Sequence, residues 1–89
     1  REGLSSSSLV TLFAWSEPEF LQRTEGGPIR RIGHTRWLRN IAVALGNALR
    51  SAADPAIVEA LRQRAQHPDE LVREHVAWAL AQQTESRQP

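Results

Sequence analysis

Cysteine is absent from these 89 residues, which excludes disulfides, thiolate zinc sites, iron–sulfur ligation and a Cys nucleophile from this stretch of chain. Lysine is absent too. All 11 basic residues are Arg, each a planar fork suited to phosphate or carboxylate, although a GC-rich genome leaves the same signature. No apolar run approaches the roughly 18 residues that a membrane span needs, and no basic stretch followed by an apolar core opens the sequence. The expectation is a cytoplasmic protein without a membrane partner. Acids are scarce in the middle third, where Arg23, Arg30, Arg31, Arg36, Arg39 and Arg50 face the single acid Glu25. Formal net charge is only +1, so the chain is basic in one region rather than throughout.

What is present reads as helix. Residues 1–8 hold Arg1-Glu2-Gly3-Leu4 and four serines, too polar to offset ordering entropy, and they begin without Met as an excised piece would. They are read as a linker. Leu9, Val10, Leu12 and Phe13 form a short apolar run leading to Trp15. Ser16 with Glu19 suggests a capping box, and Trp15 with Phe20 a hydrophobic staple, for a helix over about 17–24. Gly26-Gly27-Pro28 stops it, leaving residues 26–34 as a loop or single turn.

From Thr35, taken as the cap, a helix of about 16 residues places Trp37, Leu38, Ile41, Ala42, Leu45, Ala48 and Leu49 on one side. Its opposite side holds Arg36, Arg39, Asn40, Val43, Asn47 and Arg50. Asp54-Pro55 opens the next helix, with Ile57, Val58, Leu61 and Ala65 on one face and an end near Gln66. His67 is read as the cap of the last helix, whose inward stripe is Leu71, Val72, His75, Val76, Ala79 and Leu80 and which reaches about Gln83. Overlaying the helix from Thr35 on the last one at a shift of 35 pairs Trp37 with Val72, Ile41 with Val76, Ala44 with Ala79 and Leu45 with Leu80, which suggests a helical repeat. The predicted fold is all-α and HEAT-like, four to five helices in a right-handed stack over residues 9–83, with a polar tail at 84–89.

Few residues could carry chemistry. His34, His67 and His75 lie at no metal-binding spacing, so no metal site is expected. Glu17, Glu19, Asp54, Asp69 and Glu70 all fall at helix starts, where the macrodipole accounts for them without acid–base catalysis. Trp15, Trp37 and Trp78 lie on or beside apolar stripes and are assigned to the core rather than to base stacking. The exception is the arginine cluster, four of whose members fall within ten residues (30–39). Its candidate ligand is a polyanion, with Arg30, Arg31, Arg36, Arg39, Arg50 and His34 forming one positive surface near the helix start at Thr35; the alternative is a solvated face or a docking surface with acidic partners.

Two segments resemble a known family. Arg23-Thr24-Glu25-Gly26-Gly27-Pro28-Ile29-Arg30-Arg31-Ile32-Gly33-His34, followed by Arg36-Trp37-Leu38-Arg39-Asn40-Ile41-Ala42-Val43-Ala44-Leu45-Gly46-Asn47, resembles the C-terminal part of epoxyqueuosine reductases. Glu70-Leu71-Val72-Arg73-Glu74-His75-Val76-Ala77-Trp78-Ala79-Leu80 does so as well, and is similar to a generic HEAT-repeat helix. The resemblance implies a parent oxidoreductase that uses cobalamin and two [4Fe-4S] clusters on tRNA, with both cofactors held before Arg1. It implies no catalytic residue in this segment. The expected partners are the tRNA anticodon stem-loop and the preceding catalytic and ferredoxin-like domains; the competing reading is a HEAT-like protein-interaction module that makes no RNA contact.

Overall fold

A computed structural model describes residues 6–86, with side chains placed for 7–83. Helix α1 spans Ser6–Phe13, α2 Glu17–Arg23, a 3₁₀ helix Pro28–Ile32, α3 His34–Ser51, α4 Pro55–Arg62 and α5 Glu70–Ser86. The all-α expectation is borne out: the described residues form five α-helices and no strand. Ser6 to Ser8 belong to α1 rather than to a linker, because the apolar face of Leu9, Val10, Leu12 and Phe13 packs on the core and carries the serine turn with it. Residues 1–5 of the expected linker and 87–89 of the expected tail lie outside the described residues, while α5 continues past Gln83 to Ser86.

Caps account for most boundaries. The Ser16 hydroxyl accepts from Glu19 N at 3.3 Å; Glu19 does not return the bond but pairs with Arg23 one turn on, at 3.0 Å. Asp54 caps α4 by accepting from Ala56 N and Ile57 N, with Pro55 in the first turn, a cap that contributes about 1 kcal/mol. Two expected caps move. Gly33, at φ 85°, and not Thr35 precedes α3, since the chain leaves the 3₁₀ helix through a conformation that a Cβ disfavours. Asp69, not His67, caps α5 by accepting from Val72 N at 3.0 Å; His67 sits just outside, its Nδ1 accepting from Asp69 N at 3.0 Å. Helix α4 also ends earlier than the expected Gln66, at Arg62, and continues as turns to Gln66.

Phe13, Leu38, Ile41, Ala42, Leu45, Leu49, Ile57, Leu61, Val72, Val76 and Ala79 form one buried core drawn from α1, α3, α4 and α5. Helices α3 and α5 are the main pair. Val43 lies beside Glu74, His75 and Trp78, and three residues on, Gly46 meets Trp78 and Ala79. Both sequence numbers rise together along the contact, so the two helices run side by side in the same direction, as equivalent helices of successive repeats must.

Helices α1 and α2 are fastened to this pair by side chains that cap the end of α1. Trp37 Nε1 donates to Leu12 O at 3.3 Å, Arg64 donates to Phe13 O and Trp15 O at 3.1 and 2.8 Å, and His34 Nε2 lies 2.8 Å from Trp15 O. A helix end leaves its last carbonyls without intrahelical partners, and here those orphans are satisfied from α3 and from the turn after α4. Rings close the joint. Trp15 stacks on Trp37 at 5.5 Å, Phe20 tilts against Trp37 at 5.2 Å, and the Arg23 guanidinium covers Trp15 at 5.3 Å. Trp15 and Phe20 are thus joined through Trp37, where the sequence suggested a direct staple.

Candidate nucleic-acid interface

The six residues assigned to the positive surface divide into three groups. Arg30 and Arg31 end the 3₁₀ helix and line a shallow cleft of about 390 Å³ with Leu21 and Gly27. Arg36, Arg39 and Arg50 run along α3 at spacings that keep them on one side of the helix. His34 belongs with neither. It is 8% exposed, packed 5.7 Å from the Phe20 ring and held by Trp15 O, so its imidazole joins α1 to α3 instead of facing an anion. The reason is positional: the left-handed turn at Gly33 aims the first residue of α3 back into the aromatic joint.

The arginines themselves are uncommitted. Among the described residues no carboxylate pairs with Arg30, Arg31, Arg36, Arg39 or Arg50; the ion pair that is present joins Arg23 to Glu19. Arg36 and Arg50 are exposed and Arg39 half-buried, and the buried Nε of Arg39 has no hydrogen-bond partner. The first turn of α3 has neither an acidic residue nor a side-chain cap, so its backbone N–H groups add positive potential beside Arg36. An arginine used for structure is paired or lies over a ring, as Arg23 and Arg64 do.

The α5 helix beside this arginine face shows where sequence reasoning assigned residues wrongly. Trp78 is 40% exposed and Leu71 44%, though both were placed inward. Trp78 lies with Val43 at the α3–α5 seam. Periodicity identifies a helix's apolar arc but not the width of the neighbour that covers it, and α5 is covered on one flank only. Arg64 had drawn no role from the sequence because its partners lie 49 and 51 residues away. Burial draws the Arg64 guanidinium below its ordinary value. His67 is lowered too, by burial first and then by the nearby Arg64 and His34, against an opposing pull from Asp69.

A family model for HEAT repeats matches residues 35–89, covering α3, α4 and α5. The chain belongs to the HEAT-repeat family. The matched HEAT segment holds the α3–α5 pair, while α1, α2 and the 3₁₀ helix precede it. Relatives are similar across nearly all of the chain: an epoxyqueuosine reductase of Alicycliphilus denitrificans is 63% identical over 92% of it, and one of Shewanella oneidensis 62% over 93%. The Escherichia coli epoxyqueuosine reductase is 58% identical over 98% of this chain. The resemblance read from the two segments is therefore borne out. The match spans less than a quarter of each relative, 24%, 21% and 22% respectively. No solved structure matches the chain. Among the described residues no helix is long and apolar enough to cross a membrane.

Proposed function

We propose that this HEAT unit is the C-terminal domain of an epoxyqueuosine reductase, where it binds the tRNA backbone and docks onto the catalytic domains that the rest of the protein would supply. The observation that carries the RNA half is the set of five arginines, Arg30, Arg31, Arg36, Arg39 and Arg50, that no carboxylate neutralises among the described residues. Single-sign charge left unpaired in a stable fold raises the local concentration of a polyanion, and guanidinium forks match phosphate oxygens. The docking half rests on Ile29 and Ile32, 47% and 36% exposed, which flank Arg30 and Arg31 and would be covered by another domain. The two [4Fe-4S] clusters implied by the family need cysteine thiolates that this segment does not offer, and in this reading both they and the cobalamin belong to those other domains. The anticodon stem-loop is the expected contact.

Replacing Arg30, Arg31, Arg36 and Arg39 by Ala in the full-length enzyme tests the assignment. Each lost phosphate contact lowers the slope of log K against log salt by roughly 0.9, with cobalamin and cluster content unchanged. Unchanged tRNA affinity and salt dependence in the quadruple variant would remove the RNA role. If only Arg30→Ala and Arg31→Ala acted, and did so by loosening the assembled protein, their cleft is a domain contact.

A further inference from the structure

Between α3 and α5 lies an open cleft of about 370 Å³ lined by Val43, Glu74, His75 and Trp78. Its floor is fixed. A Cβ on Gly46 would come within 2.5 Å of the Trp78 ring and 3.1 Å of Ala79 Cβ, so the indole lies hard against the backbone of α3 while 40% of the residue remains exposed. A tryptophan wedged on one side and open on the other presents an aromatic surface with little freedom to move.

Its surroundings are cationic and polar on the α3 side. At 100° per residue Arg36, Arg39, Asn47 and Arg50 all fall within about 40° of Val43 on the helix. Arg39 is about 6 Å below Val43 along the axis, and Arg36 and Arg50 about 10 Å to either side. On the α5 side the cleft offers acceptors. His75 Nδ1 lies 2.7 Å from Leu71 O and must donate to it, which leaves Nε2 of the neutral ring as an acceptor. The Glu74 carboxylate is a second acceptor. An apolar protein segment has no donor for either group and gains nothing from three unpaired arginines, and a fully paired duplex presents no ring face.

We propose that this cleft takes one unpaired nucleobase carrying an exocyclic amino group, stacked on Trp78, with the amino group donating to Glu74 or His75 and the flanking phosphates held by Arg39 and by Arg36 or Arg50. The inference rests on the RNA reading above and adds to it a place where a base, not only the backbone, is bound. Stacking is tolerant of base identity, whereas the acceptor pair favours adenine, cytosine or guanine over uracil, whose exocyclic groups are oxygens.

The test uses the full-length protein with short single-stranded oligo(A), oligo(C) and oligo(U) RNAs and an RNA duplex of equal length, read by tryptophan fluorescence and by titration at several salt concentrations. Wild type should bind oligo(A) and oligo(C) more tightly than oligo(U), with quenching that the duplex does not produce. Trp78→Leu, which keeps the seam covered, should weaken oligo(A) binding about tenfold and abolish the quench while the salt slope stays put. Trp78→Phe should restore most of the affinity, because a ring still stacks. Glu74→Gln should narrow the preference against oligo(U). Wild-type affinity in Trp78→Leu with the salt slope intact overturns the base site and leaves backbone binding standing. Absence of salt-dependent binding in wild type overturns both. A Trp78→Phe variant as weak as Trp78→Leu, with both melting curves lowered alike, would mean that the indole serves packing alone and would overturn the base site.

Discussion

Gly46 is the residue on which the α3–α5 contact turns. In an exposed helix, alanine in place of glycine would gain about 1 kcal/mol of helix propensity. Here the added methyl would meet the Trp78 ring at 2.5 Å and Ala79 Cα at 3.0 Å. The ring edge could swing only by leaving its seat, and the Ala79 backbone cannot move without shifting α5. Overpacking of this kind costs about 1–3 kcal/mol, which exceeds the propensity gain. Gly46→Ala should therefore lower stability by about 1 kcal/mol in chemical denaturation, and a second change, Trp78→Ala, should relieve part of that loss. A more stable Gly46→Ala protein would mean that the α3–α5 contact has room for a methyl group and does not turn on this glycine. This contact could not be read from the residues alone, because a lone glycine in a helical pattern reads only as a weak helix former.

At the scale of elements, the joint between α1 and the HEAT pair depends on Arg64. Its fork supplies three bonds, two to Phe13 O at 3.3 and 3.1 Å and one to Trp15 O at 2.8 Å, and its guanidinium lies 5.9 Å over the Phe13 ring. Bonds from a charged donor contribute about 1.5–3 kcal/mol each, but these three share one side chain and are not additive. Arg64→Ala should cost about 2–3 kcal/mol and loosen the Trp15–Trp37 stack, visible as a weakened near-ultraviolet signal. Arg64→Lys should recover only part, since an ammonium is not a fork that can span two carbonyls. A loss under about 0.5 kcal/mol would assign the joint to the rings instead. What could be read in the sequence was local: Ser16 and Asp54 as caps, Gly26-Gly27-Pro28 as a stop, and the apolar arc of α3 from Leu38 to Leu49. The misplaced features were those fixed by distant partners. Helix α1 forms at a serine run because the core holds its far end, α3 starts from Gly33 because of the aromatic joint, and His34 turns inward toward a carbonyl 19 residues earlier.

For the molecule as a whole, the unpaired arginines have an energetic cost that measurement can reach without any ligand. Arg36, Arg39 and Arg50 occupy one side of a single helix, with Arg30 and Arg31 just before it, and none has a carboxylate partner among the described residues. Two such charges about 10 Å apart repel by roughly 0.4 kcal/mol in water, so the set together opposes folding by an amount on the order of 1 kcal/mol at low salt. Raising salt from about 0.01 to 0.15 M shortens the screening length from about 30 to 8 Å and should remove much of that term. The described ion pair works in the opposite sense: Arg23–Glu19 is exposed on both sides, and salt should weaken it, but an i,i+4 surface pair contributes only about 0.3–0.5 kcal/mol. Repulsion wins, and the folded chain should gain about 0.5–1 kcal/mol over that salt range. Arg36→Gln, Arg39→Gln and Arg50→Gln together keep the side-chain stems that cover the helix while removing the charge, so the triple variant should show less than half of this gain. A stability that fell with salt equally in both proteins would mean that these cations are neutralised within the fold, and the polyanion reading would lose its basis. A rise confined to the wild type would tie the same three charges to both effects, because a surface strained by its own repulsion is relieved by whatever anion it binds, and that relief appears as affinity.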